Sequence, residues 1–486
     1  MTATDNTTPI IDWLEENRAR FITMADTIWH TPEVAWHEFK SSRLQADFLA
    51  AEDFRIKWNI GGLNTAFVAE WGQAGPVLAF VGEYDALPGL SQSKEPFKDA
   101  LLANGAGHGC GHNLLGTGAL AAAVAVQKWL QKTGTSGIVR YYGCPAEEEG
   151  GGKVFMARAG VFNDIDAAFN FHPDVINMSS KGSTLGINAI YYRFHGRTAH
   201  ASIAPHEGRS ALDAVELMNV GVNYLREHVK SDVRIHYIIN NGGQAPNIVP
   251  DEAEALYYIR AAEKGYLAEV VERIRKVAEG AALMTETTLE VRFQDGFSPV
   301  LNNHYLADLQ HQAMQKVGIL KFAEDEITYA QQVNDAFGST NTAYLAQRTA
   351  SFSIPEEYRT AIDQFSNQPL VIENFPAMDT GVVSPGSTDV GDLSQVVPIS
   401  MLVTACWPTG VPGHSWGNVA ASGMSIGHKG MLYAAKIMAV TAAEIYTNPE
   451  HLISIKVEFQ RKTGGKPYVS PIPDTLMPPQ FEPLKQ

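Results

Sequence analysis

The stretch Gly107-His108-Gly109-Cys110-Gly111-His112-Asn113 leads into Leu114–Leu130, an apolar run long enough for a buried helix, and then into the strand-like Ile138–Cys144. Asn113 stands where a helix N-cap is expected. Upstream, Thr65–Trp71 and Val77–Val81 read as two short strands separated by the turn Gly72-Gln73-Ala74-Gly75-Pro76. Downstream, Ala167–Phe171 reads as another. Helices alternating with strands predict an α/β fold around a mainly parallel, mixed sheet flanked by helices. Ahead of it, Ile10–Trp29 carries apolar residues at helical spacing.

The pattern changes near Ile187. Strand-like Ile187–Phe194, helical Ser210–Val229, strand-like Val233–Asn240 and Ala253–Ala261, helical Ala268–Ala282 and strand-like Thr288–Phe293 follow in turn. The order β-α-β-β-α-β predicts a ferredoxin-like α+β insert. Residues 187–296 form this second domain, and residues 1–186 and 297–486 form one discontinuous domain around it. Met401–Ala405 then reads as a strand and Val419–Tyr446 as buried helix. The proline-rich tail from Lys466 reads as extended on the surface.

At 486 residues the chain is too long for one ordinary core. Its net charge of −16 gives no basic field to gather phosphates, which argues against nucleic acid. No apolar run approaches the ~20 residues of a membrane helix. The polar start Met1–Thr8 does not read as a signal peptide. Cys110, Cys144 and Cys406 are an odd number and no disulfide framework, which suits a reducing compartment. The expectation is a soluble, cytoplasmic protein.

Polar residues recur just past the predicted strand ends. Glu83 and Asp85 follow one strand, Glu147-Glu148-Glu149 a second and His172 a third, while His414 lies in a Gly/Pro-rich loop after a fourth. Ligands of open α/β sheets bind beyond the carboxyl ends of strands, so these groups can converge. Cys110-Gly111-His112 suits a metal, because the glycine lets thiolate and imidazole turn to one point. Alone, that spacing also describes a buried Cys beside a surface His. Adjacent carboxylates can divide labour, one holding metal and the other moving a proton. In the insert, His195-Gly196-Arg197-Thr198-Ala199-His200-Ala201, Asn247 and Arg260 read equally well as hairpin turns or as a surface for a substrate carboxylate.

Together Gly82–Pro88, Gly109–His112, Pro145–Glu148, His172-Pro173, His195–Ser202, Asn247–Pro250, Gly386-Ser387-Thr388-Asp389 and His414-Ser415 resemble the aminoacylase/carboxypeptidase superfamily of co-catalytic metallopeptidases. Within it they resemble the amidohydrolases of N-acyl amino acids, over nearly the whole chain. The resemblance implies a zinc-peptidase-like catalytic domain and a lid and dimerisation domain. It implies two divalent metal ions, Mn or Zn, held by Cys110, His112, Glu148, His172 and His414. Glu147 would be the general base and His200 would cross a dimer interface to the oxyanion, with Asn247, Arg260 and Ser387 on the substrate. Many relatives have His-x-Asp where this chain has Glu83-Tyr84-Asp85, so His112 takes over as ligand and Asp85 orients a neighbour. Glu149 stands where relatives have Gly, which leaves either Glu147/Glu148 or Glu148/Glu149 as the base and ligand pair. The implied substrate is an acyl-amino acid, an aromatic acyl-glutamate or acyl-aspartate such as p-aminobenzoyl-glutamate or indole-acetyl-aspartate. The implied assembly is a homodimer or a heteromer with a related subunit, with no nucleic-acid or membrane partner. Lys321–Asn374 fits this picture least, and reads as either an acyl-pocket segment or a surface loop.

Overall fold

The computed structural model describes residues 7–338, 349–364 and 368–482. Its strands are β1 (Arg55–Trp58), β2 (Phe67–Trp71), β3 (Val77–Glu83), β4 (Ile138–Cys144), β5 (Ala167–Asp174), β6 (Asn177–Ser179), β7 (Ser183–Thr184), β8 (Gly186–His195), β9 (Arg234–Asn241), β10 (Glu252–Ala261), β11 (Thr288–Phe297), β12 (Asn374–Phe375), β13 (Val383–Ser384) and β14 (Ile399–Ala405). The large sheet has the order β1-β2-β4-β3-β5-β14-β6-β12. Its centre, β4-β3-β5-β14, is parallel, while β1, β2 and β6 pair antiparallel to their inner neighbours. The parallel strands read as continuous apolar runs because helices cover both of their faces.

One face packs under the Thr7–Glu16, Arg18–Trp29, Phe39–Ala51, His112–Thr133, His304–Val317 and Ser425–Thr447 helices. The opposite face buries Val154, Phe155 and Met156 of the Gly152–Arg158 helix, with Leu393 and Ile472. The His112–Thr133 helix is apolar on every side, as a helix enclosed in a core must be, and Gly134 ends it in the left-handed conformation with its N–H on the Leu130 carbonyl. A Cβ at Gly116 would stand 2.3 Å from the Glu83 carbonyl, so only glycine lets this helix lie so close to the end of β3.

The second sheet has the order β11-β8-β10-β9, all antiparallel. Its own core of Ile190, Tyr192, Phe194, Tyr257 and Ile259 lies under the Ala211–Leu225 and Lys264–Thr285 helices. The connection β-α-β-β-α-β with this strand order is the expected ferredoxin-like arrangement.

Three local expectations change. Asn113 is not the N-cap: Gly111 holds that position with φ of 70°, and Asn113 sits in the first turn, its amide donating to the carbonyls of Ala25 and Ser422. The Ile10–Trp29 segment is two helices, broken at Asn17. The tail after Lys466 is irregular but not only superficial, since Ile472 is buried and Tyr468 donates to Asp392 at 2.8 Å. No helix among the described residues is long and apolar enough to cross a membrane.

Candidate metal centre

The carboxyl ends of β3, β4, β5 and β14 and the start of the His112–Thr133 helix meet at one place, and most of the expected ligands lie there. Cys110 Sγ is 3.2 Å from His172 Nε2. His112 Nε2 is 3.2 Å from Glu83 Oε2 and 3.8 Å from Glu147 Oε2. His414 Nε2 is 3.5 Å from Glu148 Oε2. Three overlapping sets of donor atoms lie within 4.8 Å of one another: Cys110/His112/His172, Cys110/Glu148/His414 and Glu83/His112/Glu147.

Local structure fixes these groups. Gly111 has φ of 70°, and a Cβ there would stand 3.0 Å from Pro173 and 3.1 Å from Trp407, so the turn between Cys110 and His112 favours glycine for its φ and leaves little room for a side chain. Ala146 and His414 hold left-handed backbones with φ of 57° and 54°. Such strain in residues with a Cβ persists only where the surroundings enforce it. At Ala146 the enforcing group is Glu38, fully buried, whose carboxylate accepts the N–H of Ala146 at 2.8 Å and of Trp36 at 2.9 Å.

Asp85 organises the centre. Its Oδ1 lies 2.8 Å from His112 Nδ1, and its Oδ2 accepts the Glu148 N–H at 2.9 Å. A carboxylate only accepts, so His112 carries its proton on Nδ1 and turns the Nε2 lone pair to the cluster. His172 does likewise by donating Nδ1–H to the Pro173 carbonyl at 2.7 Å. Behind the cluster Lys153, fully buried, lies 2.7 Å from both Glu83 Oε1 and Asp389 Oδ1.

The electrostatics follow from this crowding. Burial, with Glu83 and Glu148 next, raises Glu147 well above the ordinary carboxylate range. Burial, partly opposed by His112, pushes Glu148 up to about 7. Burial and the Glu148 carboxylate hold the Cys110 thiol far up. So much negative charge in a dry site asks for cations. Among the described residues, His112 Nε2 and Glu148 Oε1 are buried without a hydrogen-bond partner. Unpartnered lone pairs aimed into a nest of thiol, imidazole and carboxylate fit divalent metal.

Glu149, unlike its two neighbours, is exposed and lies outside the cluster. A cavity of about 580 Å³ opens from Cys110, His172 and His414. Ser351 and Phe352 line it, so part of Lys321–Asn374 forms its wall, while 339–348 and 365–367 of that segment lie outside the described residues. Arg260 and Ser387 meet at the cavity rim beside Pro385, with Arg260 Nη1 3.0 Å from Ser387 Oγ. His200 and Asn247 lie elsewhere. Both are exposed on paired loops of the small sheet, where Ala201 N–H bonds the Asn247 carbonyl at 3.0 Å. Sequence reasoning passed over Glu38 and Lys153, and quoted Asp389 in a motif without giving it a role. A signal for Lys153 was a lone cation ahead of Val154-Phe155-Met156-Ala157, an otherwise apolar stretch; Glu38 offered none.

Known proteins resemble this chain over much of its length. The model of peptidase family M20/M25/M40 matches residues 79–366. A p-aminobenzoyl-glutamate hydrolase subunit from Escherichia coli is 42% identical over 478 residues, 98% of each chain. The human Xaa-Arg dipeptidase is 27% identical, covering 94% of this chain and 93% of its own. Among solved structures, a dinuclear metal-binding peptidase of the M20 family from Bacillus subtilis superposes with a TM-score of 0.57 at 18% identity, over 89% of this chain and 99% of its own. An aminobenzoyl-glutamate utilization protein from Klebsiella pneumoniae does so with 0.59 at 17%, over 90% and 98%. At these identities the two structures speak to the fold alone.

Proposed function

The chain belongs to peptidase family M20/M25/M40 and is a hydrolase, and on that premise we propose that it cleaves the amide of an aromatic acyl-glutamate, p-aminobenzoyl-glutamate first, with two divalent metals. The observation that carries the reading is the convergence of Cys110, His112, Glu148, His172 and His414 around lone pairs that no described residue satisfies. The substrate follows from the relative that matches 98% of the chain. An indole-acetyl-aspartate or another acyl-amino acid is the alternative.

Cys110, His112, Glu148, His172 and His414 would hold the metals, which supply a water of lowered pKa and a polarised amide carbonyl. Glu147 takes the water's proton and passes it to the departing nitrogen. A raised pKa suits a carboxylate that must keep that proton between the two transfers. Arg260 and Ser387, at the cavity rim, receive the carboxylate of the amino acid. Asp85 positions His112 and the Glu148 backbone.

His200 reaches the oxyanion only when the small sheet of a second chain, or closure of its own, brings it over the cluster, and Asn247 travels with it. The small domain, residues 187–296, then serves as lid and dimerisation domain. Its outer strand β9 is, among the described residues, an unpaired edge exposing Ile238 (60%) and Ile239 (44%). Such an apolar edge suits strand pairing with a homodimer partner or a related subunit. The acidic net charge offers nothing to nucleic acid, and we place the protein in the cytoplasm. The test is glutamate release from p-aminobenzoyl-glutamate before and after chelation, with metal analysis. Activity that returns on adding Zn or Mn supports the proposal. Activity indifferent to chelation while thiol alkylation abolishes it would instead make Cys110 a nucleophile.

A further inference from the structure

We propose that the cavity beside the metal cluster is the acyl site, and that Asp379 in its wall selects acyl groups carrying an N–H or O–H donor on the ring. This deepens the proposed function and relies on it only for placing the acyl arm here.

The cavity floor is one face of the large sheet. Val403 of β14 pairs with His172 of β5 on one side and Met178 of β6 on the other, and paired residues share a face. Two residues back along β14 is Met401, whose carbonyl accepts the Ser180 N–H at 2.8 Å. Ser180 therefore lies two strands across and two residues down from His172, about 12 Å away by strand geometry. Phe352 and Trp407 also line the cavity. Floor and walls thus suit a flat aromatic group whose carbonyl stays at the metal cluster.

The polar patch near Ser180 is nearly saturated. Asn302 donates to the Gly182 carbonyl at 2.9 Å and accepts the Met401 N–H at 3.1 Å. Asp379 is 8% exposed and accepts from Lys181 N at 2.8 Å and from Ser180 Oγ. An ionised carboxylate has about four acceptor sites, so acceptor capacity remains. Lys181 offers its backbone rather than its charge, because its Nζ is 2.6 Å from Asp308. Among the described residues no Lys or Arg lines the cavity, while Asp174 and Asp379 both do. A ligand carboxylate is repelled from this space, which assigns the glutamate arm to Arg260 instead. A ring donor, such as an aryl amine or an indole N–H, finds an acceptor there that a bare phenyl ring leaves unused.

The experiment uses the metal-loaded protein. Binding of p-aminobenzoate and of benzoate is measured by calorimetry, and kcat/KM is measured for p-aminobenzoyl-glutamate and benzoyl-glutamate, in the wild type and in Asp379→Asn. A hydrogen bond to a charged acceptor predicts a roughly ten- to hundredfold preference for the amino compounds in the wild type. That ratio should fall about tenfold in Asp379→Asn. A wild type indifferent to the amino group overturns the inference, with no need of the variant, and so does a variant that keeps the wild-type ratio. If neither acyl-glutamate is hydrolysed but p-aminobenzoate still binds tighter than benzoate, the hydrolase reading falls and the acyl site stands. If both are hydrolysed at equal kcat/KM, the acyl site falls and the hydrolase reading stands.

Discussion

Asp85→Asn removes one negative charge and turns one acceptor oxygen into an N–H₂ donor, and it should weaken the metal centre. Asp85 is 1% exposed, with one oxygen 2.8 Å from His112 Nδ1 and the other accepting the Glu148 N–H at 2.9 Å. Asparagine has one oxygen for these two donors. If that oxygen faces Glu148, the amide N–H₂ faces His112 Nδ1 and drives the imidazole proton onto Nε2, the atom the metal needs bare. If it faces His112, two N–H groups oppose each other at Glu148. Either way a hydrogen bond to a charged group is lost, about 1.5–3 kcal/mol. Conversion at about 1.4 kcal/mol per factor of ten gives a ten- to hundredfold weaker metal site, in line with other carboxylates that orient a ligand histidine. Calorimetric titration of Zn or Mn into metal-stripped protein reads this directly. A metal Kd within threefold of wild type would refute the role given to Asp85.

Three further outcomes are expected. Lys153→Met leaves Glu83 and Asp389 buried without their shared cation, and urea unfolding should show a loss of about 3–5 kcal/mol; a loss under about 1 kcal/mol would mean the two carboxylates do not need it. Burial and then Asp85 push Glu38 up to about 8, from an ordinary 4.5, so between about pH 5 and 8 the folded chain holds a proton that the unfolded chain has released, and stability declines as pH rises through that window. Metal-free Glu38→Gln should therefore lose less Tm than the wild type between those pH values, and an equal slope would remove Glu38 as its source. Ile238→Arg on the β9 edge should shift the assembly toward monomer in sedimentation velocity, and an unchanged sedimentation coefficient would place the interface elsewhere.

Much of this centre was legible because position in a strand–loop–helix pattern carries chemistry. Cys110, His112, Glu147, Glu148, His172 and His414 each follow a strand or start a helix, and the open-sheet rule brings such positions together. Which of Glu147, Glu148 and Glu149 face the cluster was not legible, because three adjacent carboxylates read alike; in the fold Glu147 and Glu148 each join a set of donors and Glu149 is exposed. The supporting charges were hidden for another reason. Lys153 and Asp389 are 236 residues apart, and Glu38 and Ala146 are 108 apart. A lone Lys or Glu reads as solvated until its distant partner is known. The ferredoxin-like order of the insert was legible, because strand-like and helical runs follow one another there as β-α-β-β-α-β. Asn113 misled because a good capping residue is also a good buried hydrogen-bonder, and here the glycine turn two residues earlier prevails.

The central claim is that Glu147 moves protons at a centre whose metals are held by other residues. The most direct measurement is metal content together with glutamate release in Glu147→Gln, on the same preparation. Metal stoichiometry equal to wild type with turnover of p-aminobenzoyl-glutamate reduced by about 10²–10⁴ is the predicted result. Turnover within tenfold of the wild type in fully metal-loaded Glu147→Gln would contradict it.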